Sequence, residues 1–285
     1  MNYFQILILA LIQGLCELLP VSSSAHVIVA EKLMGLDPSA PQMTLLLVML
    51  HTGTMFAVIV YFWKGWQRDY FFSLQGLWKF SRQLFLATLC TGVVGLTLKM
   101  IIEKIFMAPM AHAEIENLFS NLPLIATALA SVGLLMIVAG TREKKSIFDA
   151  EIKTSQSFWI GVIQGICLPF RGFSRSGSTI SIGLLLGISK QKIEEFSFAL
   201  AVLLTPAVIA KELWRLIKHH QLSGDGLLAP LFTQCFVGML LSFLAGMIAL
   251  KWLSCWLQGG RWKIFGFYCI IAAMTIMAMV KLGFL

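Results

Sequence analysis

Residues 12–26 read IQGLCELLPVSSSAH and residues 163–181 read IQGICLPFRGFSRSGSTIS. The same Ile-Gln-Gly-x-Cys start leads both times into a polar, serine-rich turn. One copy lies in each half of the chain, and both sit in otherwise strongly apolar sequence. In lipid every backbone polar group must find a partner within the protein, so a polar turn at membrane depth is costly. Here such a turn is built twice, which restricts the chain to folds that can bury or wet both turns.

The surrounding sequence makes the membrane setting explicit. Apolar residues are 58% of the chain and charged residues 13%, about half the ~25% typical of soluble domains. Mean hydropathy is +0.83. These values indicate an all-α polytopic membrane protein. The net charge of +8 would suggest nucleic acid in a soluble protein. Here it fits Lys/Arg in cytoplasmic loops and affinity for anionic head groups or a phosphate substrate. No nucleic-acid-binding pattern is present, so no nucleic-acid partner is expected. The six cysteines form no CxxC pair and no Cys/His spacing suited to zinc, so they read as small core residues. Residues 1–12 hold no Lys or Arg, and Glu17 interrupts the apolar run. The N-terminus therefore reads as part of the mature fold rather than a signal peptide.

Six segments approach the ~20 apolar residues that a span needs: roughly 44–63, 84–102, 122–140, 196–214, 229–250 and 264–284. Residues 3–34 and 157–189 do not fit that template. Each is two short apolar arms around a polar break, holding Glu17, Pro20, Ser22, Ser23, Ser24 and His26 in one case. Pro169, Arg171, Gly172, Ser174, Arg175 and Ser176 mark the other. Both read as re-entrant helix-turn-helix pairs that turn at mid-depth. AVI recurs at 57–59 and 207–209, and Leu-Lys at 98–99 and 250–251, which supports internal repeats over about 1–141 and 155–285. Each half holds three spans, an odd number, so the second copy is expected to be inverted, as in many transporters. Loop Lys and Arg residues set the orientation. Lys64, Arg68, Lys79, Arg82, Arg142, Lys144, Lys145, Lys153, Lys190, Lys192, Lys251, Arg261 and Lys263 share one side. Lys32, Lys99, Lys104, Lys211, Arg215, Lys218 and Lys281 share the other. The richer side is expected to be cytoplasmic, with both termini outside.

Ionisable residues at membrane depth mark functional sites. Gln13 and Glu17 are i,i+4 on one helix face and can hold a hard divalent cation, with substrate phosphates completing its shell. Ser23 and His26 are i,i+3, so a hydroxyl and an imidazole can face one another as nucleophile and base. In the second turn, Gly172 and Gly177 allow close backbone approach. Ser176 or Ser178 can cap a new helix whose N-terminus favours an anion. Arg175 offers a planar fork for phosphate oxygens. Tight packing of small residues and an Arg–carboxylate pair are the structural alternatives. Together, the two tips carry the equipment for phosphoryl transfer, with a Ser or an activated water attacking. Mid-depth placement suits a lipid-borne phosphate.

At these residues the chain resembles the undecaprenyl-diphosphate phosphatase family, the BacA-type bacitracin-resistance proteins, over essentially its whole length. The family's (E/Q)xxxE motif leading into PVSSxxH corresponds to Gln13, Glu17, Pro20, Val21, Ser22, Ser23 and His26. Its PGxSRSxxT motif corresponds to Gly172, Ser174, Arg175, Ser176 and Thr179. LHTGTMFAV at 50–58 is similar to its third common stretch and brings His51 near the site. The resemblance implies removal of the terminal phosphate from the C55 isoprenoid diphosphate on the periplasmic side of the bacterial inner membrane. That reaction recycles the carrier for peptidoglycan and other wall polymers. The resemblance further implies a divalent cation, Mg²⁺ or Ca²⁺, with Gln13 and Glu17 in metal binding. Ser23 would be the nucleophile and His26 its base or acid. Arg175 would hold the phosphates, with Ser22, Gly172, Ser174, Ser176, Thr179 and Arg171 lining their site. Two positions depart from the family. Arg171 stands where the family has Pro, and Pro206 falls later in its span than the family proline.

Phosphatidate-phosphatase-type lipid phosphatases carry a PSGH that SSSAH resembles. They also need a His six residues after the Arg, where this chain has Ser181, so that reading is rejected. A polyprenyl-phosphate transporter, or flippase, is the alternative function, since an inverted repeat with Arg and Glu at mid-depth suits a carrier. Such a carrier has no need of a Ser23/His26 pair. A membrane scaffold leaves the duplicated turns unexplained. The apolar surface leaves contact with the lipid bilayer and a homodimer interface both open.

Overall fold

The computed structural model describes residues 2–37, 40–106, 121–142, 152–218 and 228–284. The orientation residues Lys144 and Lys145 lie outside these. Among the described residues every regular element is helical: α1 (Tyr3–Leu18), α2 (Ser23–Leu33), α3 (Pro41–Trp66), α4 (Leu74–Ile101), α5 (Leu122–Thr141), α6 (Thr154–Cys167), α7 (Arg175–Leu185), α8 (Lys190–Lys218), α9 (Leu228–Gln258) and α10 (Trp262–Lys281). Six apolar stretches are long enough to cross a membrane, on α3, α4, α5, α8, α9 and α10. The order short, short, long, long, long occurs twice.

The expected spans are all present, but the helices outrun them. α3 continues into a π-helical turn at Gln67–Phe71, and α4 begins at Leu74, where the Ser73 side chain accepts from the Gly76 N–H. The apolar pattern marks only what lipid or core covers, whereas the hydrogen-bond ladder runs on through Lys64 and Arg68 until a cap stops it. α8 runs through Pro206 without ending there.

Small residues set the packing around the short helices. A Cβ on Gly14 of α1 would meet Ser242 O of α9 at 2.6 Å, and one on Gly53 of α3 would meet Met239 O at 2.3 Å. In the other half, a Cβ on Gly161 of α6 would meet Ala87 O of α4 at 2.4 Å. Such close backbone approach drives helix association where lipid offers no hydrophobic gain. α1 therefore lies on α9 and α6 on α4, while α5 packs along α10 and α3 along α8. A core holding Leu18, Ile125, Met136, Ile160, Phe196, Phe198 and Trp262 joins the two halves. Cys167, Cys235 and Cys269 are buried as expected of small core residues; Cys255 is exposed. The first helix of each short pair is thus held closely against a long helix just before its turn.

Candidate active site

The first break is confined to Leu19–Ser22, between α1 and α2. The Val21 N–H reaches the Leu19 carbonyl at 2.8 Å, and Ser22 takes φ 66, ψ 97. Positive φ is costly for a residue with a Cβ and persists only where neighbours impose it. Ser23, Ser24 and His26 belong to α2. The second break spans Leu168–Ser174. Gly172 takes φ 97, and a Cβ there would lie 2.3 Å from the Ile125 carbonyl oxygen of α5. Glycine is therefore needed for packing as well as for its dihedral.

Glu17 is the centre of the arrangement. Its Oε2 accepts from Ser23 Oγ at 2.5 Å and from Gln13 Nε2 at 3.2 Å. Its Oε1 lies 3.1 Å from Arg175 Nη2, which reaches across from the second turn. His51 Nε2 of α3 stands 3.8 Å from Oε2. Glu17 and Arg175 keep 18% and 22% side-chain exposure, so the pair is recessed but open to a ligand. Burial opposes ionisation of Glu17, yet His51, Arg175 and the hydrogen bonds from Ser23 and Gln13 outweigh it and hold the carboxyl below its usual range. A hydroxyl 2.5 Å from a carboxylate is a short, charge-assisted bond.

Three expectations need correction. The Ser23–His26 pairing does not form: Ser23 donates to Glu17, while His26 Nδ1 lies 2.8 Å from the Ser22 carbonyl and Nε2 lies 2.8 Å from Tyr268 Oη on α10. A bond to the partner four residues before in sequence out-competes i,i+3 proximity on α2. Second, neither Ser176 nor Ser178 caps α7. The cap is Ser174, whose Oγ accepts from the Gly177 N–H at 3.2 Å. Ser178 Oγ turns back to the Arg175 carbonyl at 2.9 Å. Third, most of the expected phosphate-binding side chains face into protein. Ser174, Ser176 and Thr179 are at most 4% exposed, and Thr179 Oγ1 is spent on the Arg175 carbonyl at 2.8 Å and Ser197 Oγ at 2.7 Å. They shape the turn that presents Arg175.

Ser22 is buried, its Oγ 3.3 Å from Ser24 Oγ. Arg171 is exposed and its charge acts on buried Glu31 of α2. Burial pushes the Glu31 carboxyl up to about 7, and Arg171 works against that rise. The structure thus brings together Gln13, Glu17, Ser23, His51 and Arg175. Sequence reasoning missed Tyr268, which is 242 residues from His26 and carries no motif of its own.

Among the described residues no group of three or more His, Cys, Asp or Glu side chains is placed to hold a metal ion. The donors that could hold a divalent ion are the Glu17 carboxylate and the Gln13 amide oxygen. That sparse, hard-oxygen set fits Mg²⁺ or Ca²⁺ only when substrate phosphates supply further ligands.

Comparison with known proteins covers nearly the whole chain. The family model described as bacitracin resistance protein BacA matches residues 6–275. Undecaprenyl-diphosphatase 2 of Acinetobacter baylyi is 55% identical over 282 residues, 98% of each chain. Undecaprenyl-diphosphatase of Parabacteroides distasonis is 30% identical, covering 99% of this chain and all of that one. Undecaprenyl-diphosphatase 2 of Burkholderia ambifaria is 32% identical, covering 99% and 98%. A chain that carries the motifs, joins them at one carboxylate and matches these proteins end to end belongs to the BacA family of bacitracin resistance proteins.

Proposed function

We propose that this membrane enzyme removes the terminal phosphate of undecaprenyl diphosphate where its two polar turns meet. The single observation that carries the mechanism is the Glu17 carboxylate, held at 2.5 Å by Ser23 and at 3.1 Å by Arg175 from the other turn. Without substrate, Arg175 and Glu17 neutralise each other. A diphosphate competes for the guanidinium, which matches phosphate oxygens with two parallel N–H donors. As Arg175 turns to the phosphate, Glu17 loses a counter-charge and becomes a stronger base. It then takes the Ser23 proton as Oγ bonds to the terminal phosphorus. The bond to the bridging oxygen breaks, and the lipid monophosphate leaves with that oxygen. Water next hydrolyses the phosphoserine. The Glu17 proton returns to Oγ, inorganic phosphate departs, and the water's second proton goes to solvent. Gln13 and Glu17 would hold a divalent cation, which supplies charge neutralisation to the phosphates when bound. His51 adds a polar wall beside Glu17.

Orientation and symmetry complete the reading. Lys/Arg counting supports a site open to the periplasmic side of the inner membrane. The matched packing of α1 on α9 and α6 on α4 supports two inverted copies with re-entrant short helices, and the exposed apolar faces suit lipid or a homodimer. Phosphate release from C15 or C55 isoprenoid diphosphate by purified protein tests the activity, with release abolished by EDTA as the expected outcome. Acid quenching during turnover should trap phosphate on Ser23; turnover by Ser23→Ala at the wild-type rate would instead assign the attack to water. An impermeant thiol reagent should label Asp37→Cys in intact cells, and labelling only after permeabilisation would reverse the topology.

A further inference from the structure

His26 sits one turn from Ser23, yet its hydrogen bonds lead away from it. The Ser22 carbonyl can only accept, so Nδ1, 2.8 Å away, carries the proton. In the neutral ring Nε2 is then the acceptor, and Tyr268 Oη donates to it across 2.8 Å. Burial favours that neutral ring, with the Ser22 carbonyl working against it. The two rings also stack, 5.7 Å apart with 13° between their planes. Both nitrogens are occupied, which leaves neither a lone pair nor a proton for Ser23.

The far end of this chain of bonds is informative. The Ser22 carbonyl belongs to the one non-glycine residue with positive φ among those described. That strained peptide directly precedes Ser23, so its orientation sets where the Ser23 hydroxyl points. α10 grips the same turn a second time, because Cys269 Sγ lies 3.5 Å from the Pro20 carbonyl. The helix that anchors His26 therefore also anchors the residue two before Ser22.

We propose that His26 and Tyr268 are positioning residues rather than acid and base. Tyr268 fixes the imidazole, the imidazole's Nδ1–H holds the Ser22 carbonyl, and the strained Ser22 peptide aims Ser23 at Glu17. The inference rests on the phosphatase reading, since it assigns proton removal to Glu17 alone.

Asparagine separates a strut from a base. Its amide nitrogen can replace Nδ1 as donor to Ser22, but it cannot titrate. The experiment is phosphate release from C15 diphosphate by purified wild-type, His26→Asn, His26→Ala and Tyr268→Phe proteins across pH. Wild-type protein that releases no phosphate would refute the phosphatase reading itself. With active wild type, His26→Ala should lose at least about 100-fold in kcat and His26→Asn should stay within about 10-fold with the pH profile unchanged. Tyr268→Phe should lose about 3- to 10-fold in kcat at constant KM, the effect of one neutral hydrogen bond. If His26→Asn is as inactive as His26→Ala, or drops a limb of the pH profile, the strut assignment is wrong. Should the Asn variant not fold, ¹⁵N-histidine NMR of the wild type decides. The ring perturbed by Tyr268→Phe should be the Nδ1–H tautomer, and an Nε2–H tautomer would overturn the proposal.

Discussion

The two polar turns start from the same five-residue pattern and end as different objects. In the first, Gln13 donates to Glu17 one helical turn on. In the second, the equivalent Gln164 donates to Thr91 of α4, and Leu168 stands where Glu17 would be, 51% exposed. The first turn directs a carboxylate and a hydroxyl at each other. The second folds its serines and threonine into protein, and Arg175 reaches across to Glu17. One residue four positions after the shared glutamine thus separates a turn that carries the central carboxylate from one that presents a guanidinium to it.

The largest expected effect falls on the carboxylate that only the first turn has. Glu17→Ala should lower kcat/KM for an isoprenoid diphosphate by at least about 100-fold, roughly 2.7 kcal/mol of transition-state stabilisation. Moving the carboxylate sharpens the comparison. The double variant Glu17→Leu with Leu168→Glu should remain as inactive as Glu17→Ala, because residue 168 is half exposed and lies against Gly95 of α4. Recovered phosphate release would make the turns interchangeable. Next comes the scaffold role of the second turn. Thr179→Val should reduce stability by about 1–3 kcal/mol by stranding Ser197, seen as a lower Tm in detergent, while KM stays near wild type. A large rise in KM with unchanged Tm would return Thr179 to the phosphate site. The smallest effect is expected at Arg171, whose charge acts on Glu31: Arg171→Ala should change kcat/KM by less than about threefold. A larger loss would add a second guanidinium to the phosphate site.

Sequence reasoning reached what local pattern encodes. Apolar runs found all six spans, and the polar breaks located both helix pairs, because burying backbone in lipid forces helices and leaves visible interruptions. Glu17, Ser23 and Arg175, which the structure brings into contact, stood out as polar residues in those breaks. What escaped depended on contacts distant in sequence or on competition between near-equal partners. Ser176 and Ser178 read as caps from the sequence, and only the observed turn puts Ser174 in that place. Thr179 looks like a phosphate contact until Ser197 of α8 is placed against it. His26 looks like a base for Ser23 until Tyr268 of α10 takes its second nitrogen. Helix ends beyond the apolar stretch, such as the π-helical turn at Gln67–Phe71, leave no hydropathy signal.

The central claim is that the second turn contributes Arg175 to chemistry built on the first. Phosphate release from undecaprenyl diphosphate by purified Arg175→Ala protein tests it most directly. The account predicts that kcat/KM falls by at least about 100-fold in protein that remains folded and monodisperse. Turnover at the wild-type rate would contradict it, because the two turns would then meet without acting together.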